Sequence, residues 1–124
     1  MAPPSRSQTI LIVEDDVALR EFYRTVLRGV GFTVVAVEDG LDALRVLEGR
    51  LPDAIVLDLT LRRVGGRDVQ QEVRSRAETR RIPIIVVTGT DASDLKGPNI
   101  CVLRKPITPT GLIDAVINCL ETSG

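Results

Sequence analysis

Acidic side chains stand where this chain could do chemistry. Glu14-Asp15-Asp16 directly follows the apolar run Thr9–Val13, and Asp58 follows Ala54–Leu57. Thr88-Gly89 follows Ile84–Val87, and Arg104-Lys105-Pro106 follows Ile100–Leu103. If those runs lie side by side, three or four carboxylates, one hydroxyl and one ammonium share a rim. Carboxylates gathered this way repel and raise each other's pKa unless a cation compensates. With no histidine, and with Cys101 and Cys119 far apart and outside any CxxC pattern, the available ligands are oxygens. Oxygen donors select hard ions, and Mg2+ is typically held by one or two carboxylates together with waters and phosphate oxygens. A carboxylate beside Mg2+ and a lysine can attack phosphorus to give an aspartyl phosphate. Phosphoryl transfer asks the protein mainly for positioning and charge neutralisation.

Each of these residues alone has a plainer reading. Asp15 or Asp16 could simply cap the following helix, where acids are favoured. Asp58 could be a solvated turn residue, Thr88 an ordinary β-branched strand residue and Lys105 a surface lysine. Their joint occurrence, in order at the ends of four strands, is what favours chemistry.

The elements that must position them alternate. Thr9–Val13, Thr33–Val37, Ala54–Leu57, Ile84–Val87 and Ile100–Leu103 are short, β-branched and nearly all apolar, as suits strands buried on both faces. Between them, Val17–Val30 places Leu19, Phe22, Tyr23, Val26, Leu27 and Val30 at helical spacing, with Gly31 as a stop. Leu41–Leu47, Arg67–Ala77 and Gly111–Leu120 repeat that pattern. The alternation predicts a parallel α/β sheet, with right-handed crossovers placing helices on both faces. In such sheets ligands sit at the carboxyl ends of the strands, where every candidate falls. The segment Asp91–Asn99 contains Gly97 and Pro98 and has room for at most one or two helical turns.

The chain of 124 residues and 13.5 kDa suits one domain, read as 9–121, with 1–8 flexible and 122–124 frayed. Sixteen Lys+Arg nearly cancel seventeen Asp+Glu. Phe22, Tyr23 and Phe32 are the aromatics, so no platform for stacked bases exists, and no direct nucleic-acid binding is expected. No apolar run approaches the roughly 20 residues of a membrane span, so no membrane partner is expected. MAPPSRSQ lacks the apolar core of a signal peptide. With the cysteines read as reduced core thiols, the expected location is cytoplasmic.

The ordered set ILIVEDD, VEDGLDAL, PDAIVLDL, Gly66, IPIIVVTG and the pair Lys105-Pro106 resembles the receiver (CheY-like) domain of two-component response regulators over about Gln8 to Leu120. The resemblance implies a flavodoxin-like, doubly wound, five-stranded parallel sheet of order 2-1-3-4-5. Asp58 would be the phosphoacceptor. Asp15 and Asp16 would carry Mg2+, Asp16 directly and Asp15 through a water, with the backbone carbonyl of Thr60 completing the site. Thr88 and Lys105 would bind phosphoryl oxygens, Lys105–Pro106 would be a cis peptide, and Thr60 and Thr90 would tune dephosphorylation. The domain would assist its own phosphotransfer and dephosphorylation without being an enzyme. A histidine kinase or histidine phosphotransfer protein would be the donor. The first helix, with Phe22, Arg20, Arg24 and Arg28, would be the docking surface, and a downstream protein would read the switch. Arg62, Arg63 and Arg67 would be a solvated basic loop or a contact for an acidic partner.

Three departures from the family pattern stand out. Val102 replaces the usual aromatic three residues before Lys105. The segment from Thr88 to Lys105 is shortened, so the fourth helix is expected to be short or eroded. Arg62 occupies a frequent proline position. The rival reading is a degenerate receiver that binds protein without phosphorylation. A haloacid-dehalogenase-type phosphatase fits less well. Its DxDx motif would need an acid at Thr60, and no cap domain fits. Gly29-Val30-Gly31 follows a helix instead of a strand, which removes a dinucleotide fold.

Overall fold

The computed structural model describes residues 8–61 and 63–122. The flexible and frayed ends expected at 1–7 and 123–124, and Arg62 of the basic loop, lie outside the described residues. Among the described residues, nine elements follow in order: β1 Thr9–Val13, α1 Val17–Gly29, β2 Thr33–Val37, α2 Gly40–Gly49, β3 Ala54–Asp58, α3 Gly66–Ser75, β4 Ile84–Thr88, β5 Ile100–Arg104 and α4 Pro109–Thr122. The strands are parallel in the order β2-β1-β3-β4-β5, as expected. Thr122, expected to fray, is the last residue of α4, and its hydroxyl donates to the Asn118 carbonyl at 2.9 Å.

Alternation along the strands sorts their side chains into two cores. Ile10, Ile12, Ala54, Val56, Ile85 and Val87 pack with Tyr23 and Leu27 of α1 and with Leu112, Val116 and Cys119 of α4. Leu11, Val13, Ile55, Leu57, Ile84 and Val86 face Ala43 and Leu47 of α2 and Val69 and Val73 of α3. Burying each such aliphatic side chain contributes about 1.5–3 kcal/mol before conformational entropy is charged against it. Continuous apolar runs form the inner strands because helices cover both faces.

The first two helices start at side-chain caps. Asp16 accepts from the Leu19 N–H at 2.9 Å to open α1, and Asp39 accepts from the Asp42 N–H at 2.9 Å to open α2. Gly31, at φ 104°, turns the chain out of α1 in a conformation that other residues rarely adopt.

The Asp39 carboxyl is held below the usual aspartate range, first by the Asp42 N–H and then by Arg63, whose Nη2 lies 2.6 Å from Oδ2. A depressed pKa means that this stabilisation is present above the unfolded value and drains away as pH falls through the folded one. Asp39→Asn keeps a capping oxygen and loses the charge. The variant should be less stable than wild type above about pH 5, and the gap should close only as pH falls below about 4, through the depressed folded value, read by urea unfolding.

Between β4 and β5 the structure departs from expectation. Residues 89–99 form turns, so the fourth helix, expected to be short or eroded, is missing outright. Gly97 at φ 135° and Asn99 at φ 68° lie in the left-handed region, which interrupts any helix. Two arginines of α3 hold the segment instead. Arg67 makes a bidentate pair with Asp94. Arg74 donates to the carbonyls of Arg80, Ile82 and Asn99 at 2.6, 3.1 and 2.8 Å. The edge strand β5 is left half covered, with Val102 41% exposed.

Candidate functional site

Three rows of the first core run out into the site. Ile10-Ile12 continues to Glu14, Ala54-Val56 to Asp58, and Cys101-Leu103 to Lys105, so alternation carries these three chemical groups onto one face at the carboxyl edge of the sheet. Between β1 and β3 the chain reverses its direction of travel across the sheet. That is the switch point at which open α/β folds leave a crevice.

Glu14 and Asp58 are buried, at 1% and 3% exposure. Glu14, Asp15 and Asp58 each offer a carboxylate oxygen, all within 4.8 Å of one another. Lys105 Nζ lies 3.6 Å from Asp58 Oδ2 and 3.9 Å from Glu14 Oε1. Asp58 Oδ1 accepts from the Thr60 N–H at 3.0 Å and from its hydroxyl at 3.1 Å. Glu14 Oε2 accepts from the Asp16 N–H at 3.2 Å, and Arg20 donates to the Glu14 carbonyl at 2.9 Å. That bond ties one of the four residues of the expected docking helix face to the strand end.

Burial, followed by a hydrogen bond to Asp58 and the Asp58 charge, pushes the Glu14 carboxyl up to about 8. Glu14 Oε1 is buried with no hydrogen-bond partner, the Lys105 ammonium standing 3.9 Å away. The same acids, Glu14 first, add to burial in raising the Tyr23 phenol. This all-oxygen, electron-rich set fits a hard divalent cation, which would satisfy the orphaned oxygen and relieve the repulsion.

Asp58 contacts Thr60 and Lys105 directly, and Asp15 lies in the same acidic cluster. Thr88 is fully buried one residue past Val87, the register neighbour of Asp58. Its hydroxyl is held by Thr90, 2.9 Å from the Thr90 N–H and 3.0 Å from its hydroxyl. Lys105–Pro106 is cis. Asp16 requires a correction. Expected as a direct metal ligand, it is exposed, and its carboxylate is committed to the N-terminus of α1. Glu14 takes its place among the clustered acids. Strand alternation was the signal for this, since Glu14 shares parity with Ile10 and Ile12.

The distinction is measurable. Asp15→Ala should weaken Mg2+ binding at least about tenfold in a titration, on the scale of losing one charged ligand. Asp16→Ala should leave that affinity within about twofold and instead cost about 1 kcal/mol of stability through the lost cap.

A family model for the response regulator receiver domain matches residues 10–117. The chain belongs to the response regulator receiver domain family. Response regulator MprA of Mycobacterium ulcerans (strain Agy99) is 40% identical over 86 residues, which is 69% of this chain and 36% of that protein. The chain thus spans little more than a third of the length of the curated relatives it matches. Among solved structures, a response regulator receiver protein from Sinorhizobium medicae WSM419 superposes with a TM-score of 0.85 at 28% identity, covering 95% of this chain and 98% of that one. The receiver domain of sensor histidine kinase PA1611 from Pseudomonas aeruginosa PAO1, with a magnesium ion coordinated in its active site cleft, gives 0.83 at 30% identity, covering 93% and 98%. Receiver domains of this kind occur in both response regulators and sensor kinases. Among the described residues, no helix of this receiver is long and apolar enough to cross a membrane.

Proposed function

We propose that this receiver domain accepts a phosphoryl group on Asp58 from a phosphohistidine of a kinase or phosphotransfer protein and signals by a conformational change to a partner protein. The observation that supports this reading most is the placement of Lys105 Nζ 3.6 Å from a buried Asp58 carboxylate inside a cluster of further acids. Glu14, Asp15, Asp58 and the Thr60 carbonyl would hold Mg2+, which when bound neutralises charge on the phosphoryl oxygens.

An Asp58 oxygen attacks phosphorus in line, the bond from phosphorus to the donor nitrogen breaks, and the imidazole leaves. Lys105 pairs with the moving oxygens beside the buried Asp58 carboxylate. The Thr60 N–H and hydroxyl fix one Asp58 oxygen, which orients the other. After transfer the new charge draws the Thr88 hydroxyl away from Thr90, and that rotation biases a two-state rim. The chain assists its own modification and reversal in this way without turning over an external substrate. The reading places the protein in the cytoplasm, beside its kinase.

Incubation with acetyl phosphate and Mg2+ should add one phosphoryl group, about 80 Da by intact mass. Excess chelator should abolish the gain. A chain that takes up nothing from acetyl phosphate or from a phosphohistidine donor would instead be a phosphorylation-independent binding module.

A further inference from the structure

A pair of sulfurs lies outside the acidic site. Cys101 on β5 and Cys119 on α4 face each other across the first core, with their Sγ atoms 2.7 Å apart. That separation is shorter than the roughly 3.5 Å at which nonbonded carbon atoms, smaller than sulfur, already touch. A disulfide needs about 2.05 Å, so only a small relaxation stands between the thiols and a bond.

Exposure divides their roles. Cys101 is partly exposed on the edge strand β5, whereas Cys119 is buried at 1%. An oxidant meets Cys101 first, and the buried partner is already in position to resolve it. The loop from Cys101 to Cys119 contains Lys105 and the cis Lys105–Pro106 peptide, so a bond would clamp the last strand to the last helix around the segment that carries the site's amine.

We propose that Cys101 and Cys119 form a reversible, peroxide-responsive dithiol–disulfide site. The Cys101 thiolate attacks hydrogen peroxide, the O–O bond breaks, hydroxide leaves and a sulfenic acid remains. The Cys119 thiol then attacks that sulfur, the S–S bond forms and the sulfenic oxygen leaves as water. In sum, two thiols and one peroxide give one disulfide and two waters, with the sulfurs losing two electrons and the peroxide oxygens gaining them. A dithiol reductant reverses the bond by exchange. The site does not depend on whether Asp58 is phosphorylated.

The test treats the reduced chain with hydrogen peroxide, then measures intact mass, thiol alkylation in denaturant and Tm. The expected result is a loss of about 2 Da, with the Cys101 and Cys119 peptides both protected from alkylation. Tm should rise by roughly 10 °C through the closed loop, and dithiothreitol should reverse it. Cys101→Ser, at the partly exposed position, should fold and show neither the mass loss nor the Tm rise. Three outcomes would each overturn the proposal: oxygen added at Cys101 with Cys119 still alkylated, a disulfide between two chains, or unchanged thiols under peroxide that fully oxidises glutathione.

Discussion

Asp58→Asn should take up no phosphoryl group from acetyl phosphate under conditions in which the wild type gains one. The amide is nearly isosteric with the carboxylate. Its oxygen can still accept from the Thr60 N–H and hydroxyl, which lie 3.0 and 3.1 Å from Asp58 Oδ1. What it lacks is an anionic oxygen able to attack phosphorus, so uptake should fall at least about a thousandfold, the scale of losing a nucleophile. Stability should hold or rise, because the substitution removes a negative charge beside the buried Glu14, whose carboxyl that charge helps push up to about 8. A variant that melts like the wild type and still gains about 80 Da would move the acceptor to another acid of the cluster, Glu14 or Asp15.

The second large effect is expected at Gly66, the first residue of α3. A Cβ built there would sit 2.6 Å from the Leu59 Cα and closer still to the Asp58 carbonyl oxygen. Both are backbone atoms of the strand end that presents the acceptor, and neither can swing aside as a long side chain could. Gly66→Ala should therefore cost about 2–3 kcal/mol by forcing helix and strand apart. The better helix propensity of alanine offsets less than about 1 kcal/mol of that. Tm should drop on the order of 10 °C. Phosphoryl uptake should slow as well, because displacing the Asp58 backbone changes its approach to Lys105. Gly49→Ala is the control: nothing lies within 4 Å of a Cβ there, so that variant should match or exceed the wild type. Equal melting of the two variants would show that α3 moves off β3 freely, and the rigid positioning of Asp58 would have to be abandoned.

Much of the fold could be read from periodicity because periodicity is local. The alternation of Ile10, Ile12 and Glu14 against Leu11 and Val13 belongs to five consecutive residues, whatever packs on them. The inner strands β1, β3 and β4 stood out because two covering helix layers demand apolar side chains on both faces. Element ends were harder. β3, β4 and β5 each run one residue past their apolar run, because Asp58, Thr88 and Arg104 still pair with a neighbouring strand. The segment 89–99 could be recognised as a poor helix. That it forms none depends on the Arg67–Asp94 pair and on the bonds from Arg74, contacts between residues far apart in the chain.

Taken by itself, the amino-acid order determined which chemistry is available here: oxygens and one amine, no imidazole, placed at the ends of parallel strands. Those properties are carried by residue type and short-range spacing, which no packing can alter. Only the folded chain decided which acids share the crevice. Three adjacent carboxylates compete for two environments, a helix terminus and an inner rim. The backbone turn after β1 hands Asp16 to the first and Glu14 and Asp15 to the second. The same holds for Cys101 and Cys119, which mean little as isolated letters. Their sulfurs meet because a strand and a helix pack against each other across a core that neither segment encodes alone.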